Sequence, residues 1–526
     1  MDPAAVRALM VAATAAHKVS NFPAAEAAYR AVLAQGPHPG AAALLANALL
    51  SRASTEAGLD VAARQRLRAS ALPFARASVE GVGARAAGER RTLLARYAYF
   101  LLGFAGHVSD EGGAGARGAL LPPPAERAAL LAEATDALQR VVALDPGYAL
   151  GWRNLSLALK AGERHGEAEA ALRAAVAASG AAPPWDLLYR HGKALKRCGR
   201  EGEALARYCD AAEAGGAAAE LPLFWLRVAL AEGRERPGAV APELLSRCAG
   251  IVGRLCGAEG GGSGGGGGGG SGSGSGSSGA TAAAAAAPPL SYIRKLFNGY
   301  SAHFDAHLVG VLGYKTPDTM RSLARATFGE GAAWRACADL GCGTGLAGVA
   351  CRGLVRGPLD GCDLSPGMVA EAEKRAGLYR LVEAGEVVEW LESRAAGGAF
   401  YDLVLSADVL VYIGALERLF DCVARTLRGA AAAAAGEGAS DSAAPPLPSP
   451  PPPPPVFMFS TEAQLGEGVG AGATFELSAT GRCRHAASYI RRLAAERGLT
   501  VHAHAREAIR ENAGLPVMGD LWCIGP

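Results

Sequence analysis

Between Asp339 and Gly345 the chain reads Asp-Leu-Gly-Cys-Gly-Thr-Gly, an acid followed by glycine at every second position. Glycine is required where the backbone turns to positive φ, or where a ligand must touch main chain rather than side chain. Two ligand chemistries compete for such a loop. A pyrophosphate-binding G-x-G-x-x-G frame fails from Gly341, where Leu346 takes its last place, but is met from Gly343 by Gly345 and Gly348. Spacing therefore leaves both open. Charge favours the other: Asp339 would oppose phosphates and attract an ammonium group. A second acid, Asp363, closes the next apolar run in Gly361-Cys-Asp-Leu-Ser-Pro-Gly-Met368. Its two oxygens can accept from a pair of neighbouring hydroxyls, and either ligand would use it. Gly385-Glu386 follows a third run, and Tyr401-Asp-Leu-Val-Leu-Ser-Ala-Asp-Val-Leu-Val-Tyr412 holds a fourth, with Asp408 just beyond it. An acid there can move a proton or cap a helix.

These motifs need a scaffold that brings loop after loop to one edge. Apolar runs of four to six residues alternate with helix-length segments past Pro289, predicting strands at Cys337–Leu340, Leu359–Asp363, Leu381–Ala384, Tyr401–Ser406, Val456–Ser460, Leu499–His504 and Leu521–Ile524. Strands alternating with helices imply a parallel, doubly wound α/β sheet. Such a sheet binds its ligand beyond the C-terminal strand ends, where the strand order reverses.

In this order and spacing the four stations resemble class I S-adenosylmethionine-dependent methyltransferases. The resemblance implies a Rossmann-like α/β domain over 290–526 with S-adenosyl-L-methionine as cofactor. It places Asp339, Gly341, Cys342, Gly343 and Gly345 in the cofactor loop, with Cys342 contributing its backbone. It implies that Asp363 holds both ribose hydroxyls, that Leu364 and Met368 flank the adenine, and that Glu386 meets the adenine amino group. Ala407 belongs to the fourth station, where the chain meets both the methionine moiety and the acceptor. Asp408, Tyr412 and His485 are the expected catalytic residues, with Tyr300, His303 and Tyr489 as further groups facing the acceptor. Asp408 or a nearby histidine is the first base to test if the acceptor must lose a proton. No metal is expected.

The lead-in Tyr300-Ser-Ala-His-Phe-Asp-Ala-His-Leu308 and the later Arg484-His-Ala-Ala-Ser-Tyr489 resemble a subgroup in which this domain follows tetratricopeptide (TPR) repeats. The N-terminal half fits that. Trp152, Leu155, Ser156, Leu159, Ala168, Leu172 and Ala175 keep the TPR spacing of large and small residues. The frame recurs as Ala134, Leu138, Val141 and Pro146, as Gly192, Ala204, Tyr208 and Ala211, and at the start as Ala25, Tyr29, Val32 and Pro37. Stacked helix pairs form a solenoid with a concave face. The reading is an α-helical TPR-like domain over 1–256 that docks a protein partner or protein substrate; packing against the catalytic domain or a second copy is the alternative. Arg153, Asn154, Lys193, Lys196 and Arg197 lie on expected helix faces without forming an evident clamp.

Composition bounds the rest. A chain of 526 residues suggests about three domains. Its net charge of +2 indicates no pull toward nucleic acid or an anionic membrane. Segment 257–289 holds 15 glycines in 33 residues and is expected to be an unstructured linker, and 429–455 holds 9 prolines in 27 and is expected to be an inserted surface excursion. The 11 cysteines show no paired spacing, as expected for reduced thiols. No apolar run is long enough for a membrane span, and the start at Met1-Asp2-Pro3 shows no leader pattern, so a cytoplasmic protein is expected. The expected activity is methyl transfer to an unidentified acceptor. The alternative is an interaction scaffold whose methyltransferase-like domain binds cofactor, or nothing, without turnover.

Overall fold

The computed structural model describes residues 3–56, 59, 61–80, 85–105, 122–257, 287–310, 313–437, 452–464, 474–512 and 515–526. Most of the Gly/Ser/Ala linker (258–286) and much of the Pro-rich insertion (438–451) lie outside the described residues. The chain divides into two compact units, the first ending at Pro222 and the second running Leu223–Pro526.

The first unit is a series of helices, with successive neighbours packed side by side from Pro3–Lys18 to Glu201–Gly215. The residues that carry the repeat frame are its core: Ala25, Tyr29, Ala134, Leu138, Ala168, Ala175, Ala204 and Tyr208 are all buried. Small residues stand where helices touch. A Cβ at Gly192 would lie 2.6 Å from the Tyr208 ring, so the tyrosine of one helix fills the gap left by the glycine of its partner.

The division falls at 222/223 rather than at 256. Phe224 and Val228 of helix Glu220–Glu235 pack with Leu477, Cys483 and Tyr292, all inside the second unit. Helix periodicity reads the same whichever neighbour covers the apolar stripe, so it does not mark this point.

Among the described residues, the second unit is built on a sheet of nine strands: β1 (Cys337–Leu340), β2 (Leu359–Asp363), β3 (Leu381–Ala384), β4 (Leu403–Ser406), β5 (Val456–Ala463), β6 (Phe475–Leu477), β7 (Cys483–His485), β8 (Thr500–Asn512) and β9 (Leu515–Gly525). β3, β2, β1, β4 and β5 lie side by side in that order and in parallel. β9 joins β5 antiparallel and carries β8 on its far side. The last residues of β5, Glu462 and Ala463, also pair in parallel with β7, which forms a hairpin with β6.

Both faces of the sheet are buried, and alternation sorts its side chains. Cys337, Leu403, Leu405, Val456, Met458, Leu521 and Cys523 join Met320 and Ala324 of helix Thr316–Phe328 on one face. Leu340, Val404, Phe457, Phe459, Trp522 and Ile524 meet Leu391, Phe420 and Ile490 from three helices on the other. The strand order reverses between β1 and β4, which places the ligand crevice above their C-terminal ends. One of those helices, Glu417–Glu437, continues into the segment read as insertion, because its alanines are strong helix formers.

Candidate functional site

The glycine loop rises from β1 at that crevice. Gly341, Gly343 and Gly345 have φ of +70°, +55° and +92°, a region that costs an L-residue about 1–2 kcal/mol. A Cβ at Gly341 would also collide with the Val409 side chain, whereas one at Gly343 would meet nothing nearer than Phe304, at 3.9 Å. The loop is pinned by Cys342 N donating to the Cys362 carbonyl at 2.9 Å and Gly345 N to the Cys342 carbonyl at 2.8 Å. Cys342 is buried, and burial raises its thiol well above the usual range.

Asp363 reaches across from β2. Its Oδ2 accepts from Gly343 N at 2.9 Å and its Oδ1 from Ser365 N at 2.8 Å. Burial pushes the carboxyl up to about 6, against the lowering effect of those two bonds. Each oxygen keeps a lone pair for a ligand. Leu364 is half-buried beside it, and Met368 is buried, with its N–H donating to Ser365 Oγ at 3.2 Å.

Asp339 shares its face of β1 with Cys337, two residues earlier, and points under the loop into a fully covered position. Its Oδ2 accepts from the Tyr379 hydroxyl at 2.7 Å. Its Oδ1 is buried with no hydrogen-bond partner among the described residues. Burial pushes the carboxyl up to about 6, opposed by the Tyr379 bond and reinforced by Asp363. Glu386 caps helix Val387–Ala396: its Oε2 accepts from Val388 N and Glu389 N, both at 3.0 Å, so one oxygen is held by the fold.

A cover that motif reading missed comes from the lead-in. In helix Leu290–Tyr300, buried Asn298 accepts through Oδ1 from Ser365 Oγ at 2.6 Å and Gly367 N at 2.9 Å. In the next helix, Phe304–Gly310, Asp305 accepts from Thr344 Oγ1 and, at 2.6 Å, from Arg375 Nη2. Arg375 Nε closes the set on the Thr344 carbonyl. Asp305 stood in the lead-in motif, but Asn298, Arg375 and Tyr379 sit in segments with no motif, and nothing in their spacing marked them.

The expected acceptor-side residues divide. Asp408 follows β4 past Ala407 and has φ +57°, rare outside glycine. Its Oδ1 accepts from Ser460 Oγ at 3.0 Å and its Oδ2 from Arg510 Nη1 at 3.1 Å, so both oxygens are engaged. Tyr412 is half-buried, with Phe297 edge-on at 5.4 Å. Tyr300 contacts Phe304 at 5.4 Å, and His303 is exposed. His485 is different. It is fully buried; its Nε2 donates to the Gly414 carbonyl at 2.9 Å, since a carbonyl can only accept. Burial lowers it to about 4, leaving it neutral. With Tyr489, whose hydroxyl accepts from Leu416 N at 2.8 Å, it holds the 414–416 loop.

Among the described residues no group of three or more His, Cys, Asp or Glu is disposed to hold a metal ion, and no helix is long and apolar enough to cross a membrane. A groove of about 520 Å³ lined by Glu392, Phe400, Cys422 and Thr426 lies by the N-terminal end of β4, away from the crevice.

Comparison with known proteins agrees with this geometry. Residues 338–438 match a family described as "Methyltransferase domain". No curated protein matches the chain. Among solved structures, magnesium protoporphyrin IX methyltransferase from Synechocystis PCC 6803 is similar at 15% identity, over 45% of this chain and 99% of its own, with a TM-score of 0.28. A thermophilic TPR protein from Thermus thermophilus is similar at 16% identity, over 47% of this chain and 98% of its own, with a TM-score of 0.26. A SAM-dependent methyltransferase from Leishmania major is similar at 13%, over 45% and 78%, with a TM-score of 0.27. The assignment rests on the family match and on the glycine loop, Asp339 and Asp363 above. Residues 338–438 thus match the methyltransferase domain family, within a Rossmann-like α/β unit that follows a TPR-like helical region.

Proposed function

We propose that the chain transfers methyl groups from S-adenosylmethionine to an acceptor, and that its helical array docks a protein partner or protein substrate. The observation that carries the first part is the tie between the two motifs at the strand-order reversal: Asp363 accepts from Gly343 N, while glycines in left-handed conformation leave three of the loop's five positions without side chains. The residues fit the cofactor. The open side of Gly343 is a cradle that a Cβ would fill, and the unpartnered Asp339 Oδ1 is a buried acceptor near the end of β1. Bound S-adenosylmethionine supplies a methyl group activated on a sulfonium sulfur.

The chain's part is binding, orientation and water exclusion. Asp363 would accept from the ribose hydroxyls with its free lone pairs, and Asp339 would draw the ammonium end toward the loop. Leu364, Met368 and Glu386 border the adenine side. Asn298 and Asp305 hold the lead-in helices over the Ser365–Gly367 turn and the Thr344 turn, which narrows the crevice and lends alignment. Ala407, Asp408 and Tyr412 bring the loop after β4 to the acceptor side, with Asp408 fixed by Ser460 and Arg510.

The test is methyl-labelled S-adenosylmethionine mixed with the full chain and a fractionated cell extract. Label is expected in an acceptor fraction only when the chain is intact at Asp363. Label uptake unchanged by Asp363→Ala would contradict the reading. For the array, Tyr208→Glu should break the helix pairing and reduce label in protein fractions; full retention would assign the array to another task.

A further inference from the structure

Arg482 differs from the other arginines around the acceptor side. The carboxylates near it are already taken. Arg510 donates to Asp408 Oδ2 at 3.1 Å and to Glu462 Oε2 at 2.6 Å. Arg484 donates to Glu462 Oε1 at 3.2 Å and to Glu235 Oε1 at 2.8 Å. Arg482 instead gives its Nε to the Tyr412 hydroxyl at 3.4 Å, with its guanidinium carbon 6.0 Å from that ring's centre. Among the described residues no carboxylate pairs with it. It is half-buried. Burial opposes its charge, while Tyr412 and, at longer range, Glu462 and Asp408 favour it; since none of those carboxylates is bonded to it, its terminal nitrogens stay available to an anion.

The side chain starts from a fixed backbone. Ser478 N donates to the Arg482 carbonyl at 2.8 Å, Arg482 N donates to Ser478 Oγ at 3.3 Å, and Ala479 N donates to Glu235 Oε1 at 3.2 Å. Arg482 directly precedes β7, where Arg484 stands opposite Glu462 in parallel register with the end of β5. It is therefore level with the C-terminal strand ends, beside the loop that bears Asp408 and Tyr412. The neighbouring walls are aromatic: Phe297 meets Tyr412 at 5.4 Å and Phe304 at 6.2 Å.

We propose that Arg482, with the Tyr412 hydroxyl beside it, forms the subsite for an anionic group of the methyl acceptor, and that the anion is a carboxylate on an apolar or aromatic body. The two terminal nitrogens of Arg482 make no protein hydrogen bond among the described residues, and their fork matches the two oxygens of a carboxylate. Lysine would supply charge without that fork. The proposal rests on the methyltransferase reading, because it assigns a role inside that site.

The test uses the full chain saturated with S-adenosylhomocysteine and three probes followed by ligand-observed NMR titration: phenylacetate, its neutral isostere phenylacetamide, and inorganic phosphate. Phenylacetate is expected to bind saturably and the amide at least tenfold more weakly. Arg482→Gln should weaken phenylacetate at least tenfold while S-adenosylhomocysteine affinity and melting temperature stay as in the parent chain; Arg482→Lys should keep part of the binding. Equal binding of acid and amide, no binding of phenylacetate, or full binding by Arg482→Gln overturns the proposal. Arg482-dependent binding of phosphate in place of phenylacetate overturns the carboxylate assignment. Failure of S-adenosylhomocysteine itself to bind is a separate result, which overturns the methyltransferase reading and this subsite with it.

Discussion

Tyr379 and Asp339 share a hydrogen bond beneath the glycine loop, with the phenol donating to Asp339 Oδ2 at 2.7 Å. The tyrosine ring lies where three glycines leave room: a Cβ at Gly345 or Gly361 would stand 3.1 Å from it, and one at Gly348 would strike its hydroxyl. Tyr379→Phe keeps the ring and removes the donor. The fold should lose on the order of 1 kcal/mol. S-adenosylmethionine affinity should fall several-fold, and the acid side of its pH dependence should move to higher pH, because the lost bond favours the ionised carboxylate. Calorimetric titrations from pH 5 to 8 check this. Unchanged affinity with an unmoved acid side would reduce Tyr379 to packing.

Asp339 should trade stability for binding. Burial pushes its carboxyl up to about 6, above the value near 4 of an unfolded aspartate. The folded state therefore holds the proton more tightly, and the buried charge costs stability above pH 6. That cost fades as pH falls from 6 toward 4. Asp339→Asn removes it, so the variant should be more stable than the parent at pH 7.5 by up to about 3 kcal/mol. At pH 4.5 it should show no advantage. Denaturant melts at the two pH values measure both. A variant less stable at pH 7.5 contradicts the assignment of an unpaired buried charge.

Two glycines in one loop should fail for different reasons. Gly341→Ala adds strain at φ +70° to a collision with Val409, so it should destabilise the second unit strongly, and Val409→Ala should restore part of the loss. Gly343→Ala has φ +55° but open space to 3.9 Å, so it should cost only about 1–2 kcal/mol of stability. Its Cβ points into the cradle, and S-adenosylmethionine affinity should fall more than tenfold. Thermal melts paired with binding titrations separate the two. Intact binding by Gly343→Ala would move the ligand elsewhere.

His485 should behave as a structural residue. It lies neutral at about 4, bonded to the Gly414 carbonyl. His485→Gln is expected to lower the melting temperature through the loosened 414–416 loop, about 1–3 kcal/mol for a buried polar group left unsatisfied. The pH profile of methyl transfer should keep its shape between 6 and 9. Loss of one limb of that profile would restore the histidine as a base.

Much of the fold was legible because strand alternation and apolar runs carry it. β1, β2 and β3 fall where the runs predicted, and both predicted C-terminal strands exist, lengthened into the β8–β9 hairpin. β4 begins at Leu403 rather than Tyr401, because Asp402 uses its carboxylate on Arg335 N and Ala336 N. β6 and β7, three residues each, are too short for periodicity to register. Within the site, the acids and glycines were readable since their chemistry is local to one motif. The direction of Asp339 was readable only from its parity with Cys337. Asn298, Arg375 and Tyr379 are brought to the loop by tertiary packing, which spacing along the chain does not encode. His485 looked like a site residue for the converse reason: burial, not sequence, decides that it is neutral and occupied.

Calorimetric titration of the full chain with S-adenosylmethionine bears most directly on the central assignment. One site of saturable binding is predicted, lost or severely weakened in Asp363→Ala, where the carboxylate bridge from β2 to Gly343 N is gone. Absence of binding by the parent chain at millimolar cofactor, or equal binding by Asp363→Ala, would contradict it.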